Sequence, residues 1–504
     1  MKTKRTPLAI VCVLIAMSMG NVSAQINLKK AGEALKSKAE QKVEEKVESA
    51  KPANVKDVVN KPSSVSGKSG NATVASVDYM ALTRGKAIFV NSNTGSNRND
   101  GSKASPLKNI QKAIDNASDG TIILVAEGNY FGMLNSGNIN ITKPVKIYGG
   151  YSSDFSAHDI LKYLTMVQPT PESNGSQSGQ GTMQIQVKTK GEVVIDGLIF
   201  DRGNSIAYNP SGEGQPEGVE SAMMQPIGTT GNGGADLKTP MVLTAQSSEI
   251  YLDNPACNIT ISNCAFINAA NYGIRGMFSG AKAVITNNIF INNLMAACEI
   301  TKGGPATEIT EVYFSYNTVL FMWSRTRTQE DMGYGYRYMT GVNSYVTNNI
   351  LGLTIFSGLD RTRVDSDKAK EAKRITTAEN NIFFLNKQTD LTLPGGGMFL
   401  RVKADDFDDV EQLAKASGNK TLTDPAIFKG IINEPYLNGF LQASYKETTN
   451  FDPNSPANVF RQAMGMNMTG TIMSKVSMFA NRYPWKEALK FFGAMKGYGA
   501  QAVK

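Results

Sequence analysis

AVITNNIFINN occupies residues 283–293. Apolar side chains alternate with a hydroxyl and with paired asparagines. Alternation of period two marks a strand with one buried face. The core of the string recurs as ISNCAF (261–266), ITNNIF (285–290), FSYNTV (314–319), VTNNIL (346–351) and AENNIF (378–383), with IDGLIF (195–200) as an earlier copy. The five later copies start 24, 29, 32 and 32 residues apart. Such a period, with a strand in each unit, signals a solenoid or a propeller. Propeller blades need several hairpin-joined strands per unit. Each unit here offers a short strand, a polar turn and another short strand, which suits stacked parallel rungs.

In a parallel coil, equivalent residues of successive rungs stand about 4.8 Å apart. Asparagines at one turn can then bond to those above and below. The expected structural ladder is Asn263, Asn288, Asn317, Asn349 and Asn381, with Asn287, Asn348 and Asn380 in the same turns. The alternating Ile, Val and Phe residues fill the interior. The clearest coil runs from Ile259 to Asn386.

Outside the repeats, the chain of 504 residues divides by composition. Lys2, Lys4 and Arg5 precede an apolar run from Leu8 to Met19, and Val22-Ser23-Ala24 follows with small residues. This pattern reads as a secretory signal over 1–24, and the run is too short for a membrane span. Residues 25–50 are rich in Ala, Lys and Glu at helical spacing and read as a charged helix. Residues 51–78 are rich in Pro, Ser, Gly and Lys and read as a linker. The coil is expected over 79–400, with a long Gly- and Pro-rich loop at about 201–239, and a helix-and-loop capping region over 401–504. The formal charge is +8, of which the signal supplies three. The basic residues are dispersed, so no nucleic-acid footprint forms. No later segment is apolar enough to span a membrane.

Cys257, Cys264 and Cys298 remain after the signal, and their pairing is open. No CxxC spacing occurs, and His158 is the one histidine. Most zinc sites and histidine-dependent triads are thereby excluded.

KAIFVNSNTGSNRNDGSKASPLKNIQKAIDNASDGTIILVAEGNY (86–130) reads as strand, polar loop, amphipathic helix, strand. Ser105 and Pro106 suit the helix start, and Leu107, Ile110, Ala113, Ile114 and Ala117 share one face. The block, extended to Tyr151, resembles the N-terminal cap of exported bacterial right-handed parallel β-helix proteins of the pectin-lyase-like superfold. TDPAIF (423–428) and NSPANVF (454–460) resemble their closing segments. The resemblance implies an all-β, right-handed parallel β-helix with helical additions at both ends, exported to the periplasm, outer surface or medium. It does not imply one activity, because this fold hosts lyases, hydrolases, esterases and inert binders.

The strands after each Asn turn carry the candidate chemistry. Stacked in register, NYGIRGMF, MAACEITKGG, MWSRTRTQED and IFSGLDRTRVDS bring Arg275, Glu299, Arg325, Arg327, Asp360 and Arg361 towards one face, with Asp331, Arg363, Asp365 and Asp367 beside it. By resemblance to pectate lyases of this fold, Arg361 or Arg327 is the candidate base. Glu299, Asp360 and Asp365 are the candidate calcium ligands for a uronate β-elimination. The chain departs from those enzymes. It lacks the GHG-like histidine motif and clustered Asp of the hydrolases, and the Asp-His strand of the main lyase family.

Aromatic residues crowd the same region. Trp323, Tyr334, Tyr336 and Tyr338, with Arg325 and Arg275, form the candidate glycan platform, and MGYGYRYMTG reads as a loop presenting its tyrosines. A non-catalytic, glycan-facing envelope protein without cofactor is the leading expectation. A calcium-dependent uronate lyase and an inert solenoid scaffold are the alternatives. Residues 26–50 are the expected contact for an envelope partner.

Overall fold

The computed structural model describes residues 76–130, 139–168, 185–201, 248–269, 272–304, 309–324, 332–395, 398–445, 452–466 and 483–503. The signal, the charged segment, most of the linker, nearly all of the long loop, and Arg325, Arg327 and Asp331 lie outside these residues.

Three long sheets of ten, nine and nine strands wrap one interior. Every pairing is parallel except the last of the third sheet. Each rung gives one strand to each sheet. Lys282–Thr286 belongs to the first, Ile289–Ile291 to the second and Ala296–Lys302 to the third. The chain is a right-handed parallel β-helix, the hand that twisted strands impose on parallel crossovers.

Register follows the sequence repeat. Ile195, Ile261, Ile285, Phe314, Val346 and Ala378 pair in succession on the first sheet and point into the core. On the second sheet, Phe200, Phe266 and Phe290 stack with centroids 4.9 and 4.7 Å apart.

The corner between these sheets explains the paired asparagines. Its first residue takes positive φ: 53° at Asn263, 56° at Asn287, 57° at Asn348 and 54° at Asn380. Asparagine tolerates this left-handed conformation better than most residues. Its second residue turns inward. Asn288 donates to Asn317 Oδ1 at 3.1 Å, Asn317 to Asn349 at 3.3 Å, and Asn349 to Asn381 at 2.9 Å. Each also donates to a carbonyl of the preceding rung, as Asn349 does to Phe314 at 2.9 Å.

Asn263 does not stand in this ladder. It occupies the outer position of its turn and donates to Asp196, while Cys264 fills the inner position. At the other end the ladder continues to Asn419, which accepts from Asn381 at 2.9 Å. The coil thus runs past residue 400, to strands Lys415–Ser417 and Lys420–Thr421.

Both ends are closed by chain. The capping helix is Ile110–Asn116, with Ile110, Ala113 and Ile114 buried. It starts later than Ser105-Pro106 suggest, because Leu107 is first used in extended form. Its amide and carbonyl bond Phe89 and Asn91 along the edge of the first strand. At the far end, DDFDDV forms a 3-10 turn, Ala404–Asp409, that sets Ala404 and Phe407 on the core.

The remaining C-terminal chain does not stack on the end. It covers the outer face of the second sheet. Phe428, Tyr436, Phe440, Phe460, Tyr483 and Phe491 form one cluster with Ile267, Ile291, Leu320 and Ile350. This is why the second sheet's strands are apolar on both faces, as strands buried on both sides are. The final helix is one turn, Trp485–Ala488, continued as a 3-10 turn. Leu489 and Phe492 are buried and Trp485 is half-buried.

Candidate functional site

The third sheet carries the candidate chemistry. MGYGYRYMTG is not a loop: residues Tyr334–Tyr338 form a strand of that sheet. Strand parity then separates its residues. Tyr336 and Tyr338 point into the core and are fully buried. Tyr336 stacks on Phe314 at 4.5 Å and shares a hydrogen bond with Ser344 at 2.7 Å. Neither ring reaches a glycan. Arg337, between them, points outward.

Arg337 completes an axial row of alternating charge. Arg275, Glu299, Arg337 and Asp360 pair in register on four successive rungs. Arg275 Nε lies 3.1 Å from Glu299 Oε1, Glu299 Oε2 3.3 Å from Arg337, and Arg337 Nε 2.8 Å from Asp360 Oδ2. Thr392 bonds the other oxygen of Asp360. Arg275 also lies over the Tyr272 ring and Arg337 over Tyr334, each at 4.5 Å. The Arg275 side chain is 32% exposed, but those of Glu299, Arg337 and Asp360 are almost wholly covered.

Burial pushes the Asp360 carboxyl up, and Arg337 and Thr392 partly offset this. Burial works against the charged form of Arg337, but Asp360, Tyr334 and Glu299 outweigh it and hold the guanidinium above its ordinary value. Arg337 is a clamp between two carboxylates.

The other expected residues separate. Trp323 is not a platform. Its indole donates to Asn292 at 2.8 Å and its ring packs on Phe440 at 4.5 Å, so it anchors the C-terminal covering segment. Arg361 is buried and ion-paired with Glu371 from the short helix Lys368–Glu371. Asp365 faces Arg374 at 3.6 Å. Glu299, Asp360 and Asp365 therefore do not converge on one cation position, because Arg337 stands between the first two. Among the described residues no group of three or more His, Cys, Asp or Glu side chains converges as metal ligands would.

The residues that composition alone did not single out are Tyr272, Glu371 and Arg374, together with the pivotal place of Arg337. The signal for Arg337 was its parity within Tyr334–Tyr338, visible only once the segment is read as a strand.

A second polar cluster lies on the outer face of the first sheet. Asp196 accepts from Ser262 at 2.6 Å, Asn263 at 2.8 Å and Tyr79 at 2.9 Å. Burial pushes its carboxyl up to about 6, against the lowering effect of these donors. His158 stacks on Tyr79 with centroids 3.8 Å apart, and its Nε2 is 3.0 Å from Gly149 O. The histidine holds the entering chain to the coil. The three cysteines are buried and unpaired. Burial raises each thiol above its ordinary value, so none is activated.

No family model matches the chain. No curated protein matches it either. Solved structures with some likeness include a rhamnogalacturonan lyase at 13% identity, covering 60% of this chain and 69% of that one, with a TM-score of 0.27. A pectin methylesterase in complex with a hexasaccharide is 10% identical over 72% and 98%, with a TM-score of 0.30. The pectin methylesterase PemA from Erwinia chrysanthemi is 12% identical over 67% and 93%, also at 0.30. The fold itself rests on the three parallel sheets. No helix among the described residues is long and apolar enough to cross a membrane.

Proposed function

We propose that this chain is an exported cell-envelope β-helix that faces glycans without cleaving them, using the outer face of the third sheet around Arg275 and Tyr272. One observation carries the non-catalytic part. The described guanidinium groups nearest the candidate chemistry, Arg337 and Arg361, are buried and lie against carboxylates. An eliminating base must reach the substrate to take its proton, and both groups are covered and engaged by their carboxylates. Arg275 supports the glycan part. It is half-exposed and stacked on an aromatic ring, so a sugar carboxylate or hydroxyl can reach it.

The lyase alternative, with calcium and an Arg base, makes the opposite prediction in one assay. Residues 25–504 are incubated with a panel of acidic polysaccharides, with calcium or with chelator, and absorbance of unsaturated uronide is followed. No product is expected, whereas retardation in gels containing one of these glycans is expected to fall about tenfold in Arg275→Ala, as one charge-assisted contact would give. Calcium-dependent product that disappears in Arg361→Ala would replace this reading with the lyase. Equal retardation of wild type and Arg275→Ala would remove the third-sheet face. Loss of envelope localisation on deleting residues 26–50 would support a partner for that segment.

A further inference from the structure

We propose that two copies of this chain join tail to tail by antiparallel pairing of the strand Met398–Val402. This strand ends the third sheet and is its one antiparallel member, paired to Thr389–Gly395. Among the described residues nothing pairs with its other side. An open edge strand is a template for a second chain, and folded proteins normally blunt such edges.

Four of the other sheet ends are blunted. The first strand of the first sheet is covered by a loop, through Phe89 N to Gly101 O at 2.8 Å and Leu107 N to Phe89 O at 2.9 Å. The first strand of the third sheet is closed by Gln111, which accepts from Asn140 N at 2.6 Å and donates to Asn140 O at 3.3 Å. At the far end, the first sheet finishes on a three-residue strand with exposed Lys415, and Asp405 takes the Thr421 amide of the second. Met398–Val402 carries one exposed charge, Arg401, but among the described residues no loop or side chain covers its other side. It is longer, and it contains no proline.

Register fixes which groups are open. Thr392 O accepts from Arg361 N, on the side away from Met398–Val402. Thr392 and its partner Arg401 are therefore a non-hydrogen-bonded pair, as are Pro394 and Phe399, since proline has no amide to give. The amides and carbonyls of Phe399 and Arg401 then point to the open side. Two such edges related by a two-fold axis satisfy each other. Phe399 of each copy faces Arg401 of the other, and Leu400 meets its own copy. Within one copy Arg401 already lies over the Phe399 ring at 5.2 Å, so this residue pair is compatible in close contact.

Side chains agree with the backbone. Leu400 is opposite Leu393, on the core side of the sheet, yet it is 39% exposed because no rung follows. A second copy would cover it. The charge at this end is mixed. Exposed Arg401 and Lys403 stand beside exposed Asp405, Asp406, Asp408 and Asp409. An identical end meets no single-sign field here, as a highly acidic or basic partner would require.

The test uses the chain from residue 25 to 504. Sedimentation velocity over a concentration series is expected to show a monomer–dimer equilibrium. Leu400→Cys is expected to give a disulfide-linked dimer on mild oxidation, because non-hydrogen-bonded partners stand about 4.5 Å apart, within reach of a disulfide. Met277→Cys, at a position more exposed than Leu400 but on another part of the coil, is expected to stay monomeric under the same treatment. Leu400→Lys places like charges opposite each other and should weaken dimerisation about tenfold with the melting temperature of the monomer unchanged. A monomer at every concentration overturns the proposal. So does a dimer in which the two cysteine variants cross-link alike, or one that Leu400→Lys leaves intact.

Discussion

The dipeptide Asn348-Asn349 puts one residue type in two roles, which makes it the sharpest test of the coil. Asn349 donates to Phe314 O and Asn381 Oδ1, both at 2.9 Å, and accepts from Asn317 N at 2.8 Å and Asn317 Nδ2 at 3.3 Å. The side chain is fully buried. Asn349→Ala leaves an amide and a carbonyl without this partner in a space closed to water. Each orphaned group costs about 1–3 kcal/mol, so the loss should be about 3–5 kcal/mol after some relaxation. Asn348 has φ of 57°, and its bonds to Glu379 O and from Gly499 N are made by backbone. Glycine adopts that φ freely and keeps both backbone bonds, so Asn348→Gly should cost clearly less than Asn349→Ala. Urea unfolding followed by circular dichroism, with the midpoint compared at equal slope, separates the two. If Asn348→Gly costs as much as Asn349→Ala, the division into an outer left-handed position and an inner ladder is wrong.

Two further outcomes follow from the buried charges. Arg337→Met should destabilise the protein by about 3–5 kcal/mol near neutral pH, because it leaves Glu299 and Asp360 covered and uncompensated. The loss should shrink on acidification, when Asp360, which burial holds above the ordinary carboxylate range, takes up a proton; urea midpoints that fall equally in acid and at neutrality would contradict the clamp. Asp196 titrates at about 6, above its ordinary value, so the folded chain holds this proton more tightly than the unfolded chain. Its contribution is fully present below the unfolded value and is lost as pH rises through about 6, on the order of 3 kcal/mol in all. Asp196→Asn should remove that component of the pH profile of the melting temperature. A difference curve that is flat between about pH 4 and 7 would show that the carboxyl is not held this way.

The strand repeats are local statements of a period, and the rung architecture could be read from them because each unit carries its own alternation and its own turn. The boundaries and roles inside the turns were less open to reading. Asn263 aligns with the outer Asn287, and Cys264 stands where Asn288 does, so the earlier rung lacks the inner asparagine although it still carries one in the turn. The capping helix was visible in its apolar face, but its start moved because Leu107 is needed as edge cover. Glycines and aromatics misled at Tyr334–Tyr338, where the composition of a loop belongs to a strand packed on both sides.

The sequence by itself determined the coil, since an apolar alternation recurring with an asparagine turn has few ways to bury its faces other than by stacking on itself. Only the tertiary structure decided what the charged and aromatic residues do. Arg337 becomes a clamp because Glu299 and Asp360 arrive beside it on neighbouring rungs, Trp323 an anchor because the C-terminal chain reaches it, and Arg361 half of an ion pair because the short helix Lys368–Glu371 folds back on it. The C-terminal chain covers the second sheet rather than the coil's end because that sheet's outer face is apolar. The physical reason is one of range. Periodicity fixes which face a side chain takes within its own strand, but its partner is set by the length of every intervening turn and loop, and one residue more or less carries it to the other side.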